Sequence, residues 1–166
     1  MVSLVRGHRD LIVYQKSFTA GKRIFELSKS FPREEMYSLT DQVRRSSRSV
    51  SANIAEAWRK RRYEKSFCNA LSTSEGEAAE TQVWIDYAAA HGYLDNETAD
   101  AATDYYEQII CMLVAMQSQS NQWCQFSEKA QAKHSTKLKE TEVAYHFANE
   151  PIHIDQEALL NPPPNV

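Results

Sequence analysis

A cluster of basic side chains is the feature of this sequence most capable of chemistry. Residues 43–62, VRRSSRSVSANIAEAWRKRR, hold seven Arg and Lys residues against one acid, Glu56. A helix turns by about 100° per residue, which places four of the arginines within about 60° of one another, in a row about 27 Å long. Guanidinium groups pair well with phosphate oxygens, and a row of this length can meet several successive phosphates. The members of this arginine row are Arg44, Arg48, Arg59 and Arg62.

The neighbours of the arginine row extend the predicted surface. Arg45 and Lys60 flank the row, whereas Arg61 points toward the apolar side of the same helix. Trp58 lies beside the arginines and is a candidate for stacking on a nucleic-acid base. The predicted nucleic-acid-binding residues are therefore Arg44, Arg45, Arg48, Trp58, Arg59, Lys60 and Arg62.

The charge of the chain is divided between its two halves. Residues 1–65 hold 15 Lys and Arg against 7 Asp and Glu, whereas residues 66–166 hold 4 against 15. Such asymmetry is typical of proteins that bind nucleic acid or a complementary protein surface. RNA and the acidic half of a neighbouring copy are both candidate partners. The alternative is a solvated helix face, but such a face normally mixes both signs of charge.

Helical periodicity and the scarcity of Gly and Pro predict an all-α fold with four long helices. The first helix spans about residues 10–30, and the second begins at Ser38, whose partner in a capping box is Asp41. The third spans about residues 66–91 and ends at Gly92, and the fourth is capped by Asp95. The first helix carries apolar residues on two adjoining rows: Leu11, Tyr14, Phe18 and Phe25 on one, and Ile24, Leu27 and Phe31 on the other.

Long helices with short links favour an antiparallel up-down-up-down four-helix bundle, which we assign to residues 1–124. Residues 125–166 are polar and proline-rich at their end, so we expect a helical extension over 127–148 followed by a flexible tail. His134, His146 and His153 in this tail have spacings that fit no metal-ligand template.

Other side chains could carry chemistry but do not converge on a site. Asn53, Glu56 and Glu80 lie near the apolar faces, where they either tie helices together by buried hydrogen bonds or form a carboxylate pair for acid–base work. No glycine-rich phosphate loop, nucleophile elbow or Cys-x-x-Cys motif occurs. We therefore expect no catalytic, cofactor or metal site and no enzymatic activity.

Cysteine usage and hydropathy bear on the compartment. Cys68, Cys111 and Cys124 are odd in number and irregularly spaced, which is typical of free thiols in a reducing cytoplasm, and the first two are expected in the core. The N-terminus has no apolar secretion signal, and the longest strongly apolar run, residues 109–116, is too short to cross a bilayer. These features predict a cytoplasmic protein with no membrane partner.

Several separated segments resemble one known family. They are VYQKS in the first helix, QVRR and NIAEA in the second, EGEAAETQ in the third, and the closing GYL. In this order they are similar to the four-helix-bundle family of the 23S rRNA intervening-sequence protein, over residues 10 to about 122. Ala57 stands where the family usually has a glycine, and RSVSAN replaces its usual small or proline residues before the asparagine.

The resemblance implies a function as well as a fold. Related bundles serve as accessory proteins of reverse transcriptases in diversity-generating retroelements, where they form pentameric barrels that bind RNA and the transcriptase. We therefore expect a non-enzymatic, homo-oligomeric RNA-binding or ribonucleoprotein scaffold. The resemblance implies that the oligomer is a pentamer. The alternative is an adaptor that uses its acidic face and tail to recruit a protein such as a reverse transcriptase.

Overall fold

The computed structural model describes residues 5–124, and these residues are helical with no strand among them. The prediction of four long helices is confirmed. Three single turns of 3₁₀ helix accompany them, at His8–Asp10, Ser28–Ser30 and Arg33–Glu35. The α-helices are α1 (Ile12–Leu27), α2 (Leu39–Lys60), α3 (Glu64–Ala90), α4 (Asn96–Ser118) and the short α5 (Ser120–Trp123).

One apolar core is shared by the four long helices. Consecutive helices pack on each other, and α1 also contacts α4. Burial of large aliphatic and aromatic side chains is the main stabilising contribution in such a core. Its fully buried members include Val13 from α1, Val43, Val50 and Ile54 from α2, Phe67, Leu71 and Ile85 from α3, and Tyr106, Ile109 and Leu113 from α4.

The helix ends follow the signals in the sequence closely. Asp95 is the N-cap of α4, as predicted, and its carboxylate accepts the Thr98 N–H at 2.7 Å. α3 ends at Ala90, and Gly92 then adopts a φ of +73°, a conformation that glycine tolerates without steric cost. Ser38 is the N-cap of α2, but the predicted bond to the helix does not form. Its hydroxyl donates to Glu35 instead, and Glu35 also accepts the Leu39 N–H at 3.3 Å.

The buried face of α1 differs from the predicted one. In the first of the two apolar rows, Leu11 is buried, but Phe18 is 51% exposed, and Tyr14 and Phe25 are only half-buried. Small residues take the core positions because α1 lies very close to α2: a Cβ added at Gly21 would be 3.3 Å from the Ser47 carbonyl oxygen. The buried residues of α1 are Val13, Ser17, Ala20, Gly21 and Ile24.

Short hydroxyl side chains make the buried polar contacts between helices. The Thr81 and Ser46 hydroxyls are 2.8 Å apart between α3 and α2, and the Ser74 hydroxyl donates to the Val50 carbonyl at 2.8 Å. These bonds satisfy buried polar groups and link the two helices at defined positions.

The residues predicted to make such ties bond locally instead. The Asn53 amide donates to the Ser49 carbonyl, Glu56 pairs with a lysine one turn away, and Glu80 accepts from Trp84. The expectation that these three residues tie helices together is therefore wrong, because each of these bonds lies within one helix.

The predictions for residues 125–166, including the helical extension and the tail histidines, lie outside the described residues. Within residues 5–124, no helix is long and apolar enough to cross a membrane.

Candidate nucleic-acid interface

The groove between α1 and α2 gathers half of the arginine row. The Arg44 guanidinium donates to the Ser28 hydroxyl at 2.7 Å and lies over the Phe25 ring, 4.9 Å from its centroid. The Arg48 guanidinium lies over the same ring at 5.6 Å. An aromatic face attracts a cation without neutralising its charge, so both arginines are held in place while remaining positive.

The outer face of α1 completes this surface with aromatic rings and lysines. Tyr14 and Phe18 stack with their centroids 6.1 Å apart, and Lys22 lies 5.8 Å from the Phe18 centroid. Lys29 lies 5.0 Å from the Phe25 centroid. We call this set the basic–aromatic surface: Tyr14, Phe18, Lys22, Phe25, Lys29, Arg44 and Arg48.

The contribution of α1 to this surface was missed from the sequence. The signal was present, because three aromatic and two basic residues share positions 14, 18, 22, 25 and 29 at helical spacing. The aromatic residues at that spacing were taken as an apolar row, although lysines on the same row indicate a solvent-facing face of the helix.

A shallow open depression lies on the outer side of α2. Its volume is about 450 Å³, and Arg44, Arg45 and Arg48 line it together with Asp41, Ser49 and Ala52. The Arg45 guanidinium donates to the Gln42 amide oxygen at 3.1 Å. Three guanidiniums against the one carboxylate of Asp41 give this concave surface a net positive charge, which favours an anionic ligand.

No member of the arginine row forms an ion pair within residues 5–124. The two ion pairs of this part of the chain are Lys29–Glu26 and Lys60–Glu56, each between residues three or four positions apart in the sequence. Lys60, predicted to bind nucleic acid, thus already has a carboxylate partner, although exposed pairs of this kind are weak and exchange readily.

The C-terminal end of α2 carries the rest of the predicted site. Arg59 and Arg62 are exposed, as binding to phosphate requires. Trp58 is only 5% exposed, and the Arg61 guanidinium lies 3.5 Å from the centroid of its ring. Burial lowers the pKa of Arg61, and the Arg59 charge lowers it further. A base cannot stack on Trp58 in this conformation, so the proposed stacking role is not supported, because the indole belongs to the core.

The other side of the molecule, α3 and α4, is acidic. From Ser66 to Cys124 the chain has nine Asp and Glu residues and no Lys or Arg. Two of the carboxylates bond to neutral groups on the facing helix: Glu75 accepts from Gln117 at 2.8 Å, and Glu107 lies 3.4 Å from the Gln82 amide. Burial raises the pKa of Glu77, and the nearby Glu80 carboxylate raises it further.

Other reactive groups do not form a centre in the described part of the chain. Residues 5–124 contain no group of three or more His, Cys, Asp or Glu side chains placed to hold a metal ion. Cys68 and Cys111 are half-buried rather than fully in the core, and Cys124 is buried. Burial raises the pKa of the Cys124 thiol to about 11, which makes it a poor nucleophile at neutral pH.

Comparison with known proteins identifies the family. The model of the family described as 23S rRNA-intervening sequence protein matches residues 9–115. The chain belongs to this family. A solved structure from the S23 ribosomal protein family of Bacteroides thetaiotaomicron VPI-5482, a protein with unknown function, is 27% identical, with a TM-score of 0.59 over 64% of this chain and 98% of that one. Among curated proteins, none matches the chain. The family match covers α1, α2 and α3 entirely and most of α4.

Proposed function

We propose that the protein is a non-enzymatic RNA-binding scaffold built on an up-down-up-down antiparallel bundle. The order of cross-helix contacts supports this arrangement. Between α2 and α3, position 46 bonds to 81 and position 50 to 74, so that one number rises as the other falls. Between α3 and α4, position 75 bonds to 117 and position 82 to 103 in the same opposed order.

The observation that carries the RNA proposal is the arginine row without ion-pair partners on α2. Charges that served only stability would be expected to pair with the nine acids of α3 and α4, and none of the row does so among residues 5–124. Exposed guanidiniums beside aromatic rings are suited to the phosphates and the bases of RNA. The family's association with 23S rRNA intervening sequences agrees with this partner.

We further propose that the chain forms a closed homo-oligomer, which the family resemblance makes a pentamer. Opposite charges on opposite sides of one rigid bundle favour a head-to-tail contact between copies. Contacts of this heterologous kind close into rings when the rotation per subunit permits.

Replacement of the arginine row tests the RNA proposal. In the variant Arg44→Gln/Arg48→Gln/Arg59→Gln/Arg62→Gln, each lost phosphate contact reduces the slope of log Kd against log salt by about 0.7 to 0.9. Affinity for a structured RNA should therefore become weak and nearly independent of salt. The fold and the oligomeric mass should be retained, because none of the four side chains lies in the core.

A matched control separates position from total charge. Arg44→Gln/Arg48→Gln should weaken RNA binding, whereas Arg33→Gln/Lys65→Gln, two exposed cations outside the row, removes the same charge and should have a much smaller effect. Equal losses in the two variants would mean that only net charge matters. Dissociation of the quadruple variant into monomers would instead assign the row to contacts between subunits.

The second candidate function is a protein adaptor, for example an accessory subunit of a reverse transcriptase. Val83 and Val114, 48% and 46% exposed, lie on the otherwise acidic α3 and α4 and would suit a protein partner. Binding through apolar contacts depends little on salt, so graded salt separates this function from phosphate binding.

A further inference from the structure

We propose that an acidic segment of the same chain, Glu150–Leu160, docks on the basic–aromatic surface when RNA is absent. This segment, EPIHIDQEALL, has three carboxylates, no Lys or Arg, and four aliphatic side chains. The surface offers the complementary groups: lysines and arginines that lie over exposed or half-buried aromatic rings. Both the sign of charge and the mixture of apolar and ionic groups therefore match.

The path of the chain brings the segment within reach. The described chain ends at Cys124, beside the junction of α2 and α3: the Cys124 N–H donates to the Ser120 carbonyl at 2.9 Å, and the Ser120 hydroxyl donates to Glu64, the first residue of α3, at 2.5 Å. From Arg61 back to Arg48 and Arg44 is 13 to 17 residues of helix, or about 20 to 25 Å.

Residues 125–149 are long enough to cover that distance, whether they form a flexible linker or a continuous helix. A flexible linker of this length has a root-mean-square end-to-end distance of about 25 to 30 Å. A continuous helix of the same length measures about 37 Å. A tether whose length matches the gap gives an effective concentration in the millimolar range, so that even a weak contact is populated.

The groups on the surface explain why this segment, rather than the acidic helices, is the occupant. The nine acids between Ser66 and Cys124 form no ion pair with α1 or α2 among residues 5–124. Earlier tail residues mix signs, with four Lys and three Glu between positions 125 and 149. Glu150–Leu160 is thus the tail segment that carries carboxylates without Lys or Arg, and the tether of residues 125–149 allows it to reach α1 and α2.

One consequence rests on the proposed function: the segment competes with RNA. If it occupies the surface for about nine-tenths of the time, the apparent affinity for RNA is about tenfold below the intrinsic affinity. Neutralising its three acids, by Glu150→Gln/Asp155→Asn/Glu157→Gln, should then tighten RNA binding by up to that factor.

Zero-length crosslinking of the full chain tests the docking without RNA. A water-soluble carbodiimide joins a carboxylate to a lysine amine only where the two are in contact. We expect crosslinks from Glu150, Asp155 or Glu157 to Lys22 or Lys29, found in the monomer band of a denaturing gel. Crosslinks from these acids only to Lys60, Lys65 or the tail lysines, or only in a dimer band, would overturn the proposal.

A matched variant controls for charge. Glu128→Gln/Glu140→Gln/Glu142→Gln removes three acids from the tether and should leave both the crosslinks and the RNA affinity unchanged. If the two triple variants tighten RNA binding equally, general repulsion explains the effect and competition is wrong. If crosslinks to Lys22 or Lys29 form but no RNA binds to any variant, docking is supported while the proposed function fails.

Discussion

The α1–α2 pair and the α3–α4 pair bury parts of the same core but differ in their outer surfaces. On α1 and α2, cations lie over aromatic rings, as Arg44 and Arg48 do over Phe25. On α3 and α4, carboxylates accept hydrogen bonds from neutral side chains, as Glu75 does from Gln117. In these examples each sign of charge is held in position by neutral groups.

This difference indicates that the charges serve something outside the monomer. Opposite charges on neighbouring helices would stabilise the monomer by pairing, yet both ion pairs within residues 5–124 join residues only three or four positions apart in the sequence. Exposed pairs add less than about 1 kcal/mol each, so stability alone gives little reason either to pair the charges or to segregate them. An anionic ligand and a complementary neighbouring subunit each provide such a reason.

The sharpest test of this comparison is to neutralise the acidic side. Four exposed acids form a row on α4, and they can be changed together by Glu97→Gln/Asp100→Asn/Asp104→Asn/Glu107→Gln. We expect this variant to keep its RNA affinity while the oligomer dissociates, because the head-to-tail contact loses its negative partner. Replacement of the arginine row should have the opposite result, which is weak RNA binding with a retained oligomer. Light scattering and RNA titration measure both effects.

The outcome that would end the oligomer proposal is simple. If light scattering shows that the wild-type protein is a monomer at micromolar concentration and moderate salt, the proposal of a closed ring is wrong. Loss of RNA affinity in the acidic-row variant, with its helicity intact, would contradict the assignment of RNA to α2.

The α1–α2 pair also differs from the α3–α4 pair in how closely its helices pack at Gly21, and a single substitution tests this close packing. Gly21→Leu forces a side chain into the contact with the Ser47 backbone, where even a Cβ would be only 3.3 Å from the carbonyl oxygen. Overpacking of this kind costs about 1 to 3 kcal/mol, which thermal unfolding measures. The control is Gly76→Leu on α3, where an added Cβ meets nothing within 4 Å. A similar midpoint for both variants would show that α1 and α2 can separate without cost.

The same close approach explains what the sequence could not predict about α1. Apolar residues occupy two rows of this helix about 140° apart, and hydropathy favours the larger aromatic residues for the core. The observed core row contains Ser17, Ala20 and Gly21, whose small size matters only once α2 lies against them. Periodicity within one helix carries no information about the distance to the next helix.

Features determined within one segment were predicted much better. The arginine row requires only helical geometry, and α2 is helical from Leu39 to Lys60. Asp95 and Gly92 were assigned correctly because caps and stops depend on local backbone groups. Trp58 was misjudged for the opposite reason: whether an indole stacks on a ligand or packs in the core is decided by the parts of the chain that pack against its helix, which the helix alone does not reveal.

The smallest predicted effect concerns the start of the acidic side, where Asp95 caps α4. Asp95→Ala removes the bonds to the Thr98 N–H and hydroxyl, at 2.7 and 2.9 Å, and should cost about 1 kcal/mol of unfolding free energy at pH 7. The Thr98 N–H lowers the pKa of the Asp95 carboxyl. The ionised cap therefore stabilises the fold above the ordinary aspartate pKa, and this contribution is lost as pH falls through the lowered folded value. The difference in unfolding free energy between wild type and Asp95→Ala, measured by denaturant titration, should therefore become smaller at acid pH.

Asp95→Asn keeps a capping oxygen without the charge, so its stability should stay within a few tenths of a kcal/mol of wild type at pH 7. A deficit in Asp95→Asn as large as in Asp95→Ala would assign the effect to the charge beside the helix dipole rather than to the hydrogen bond.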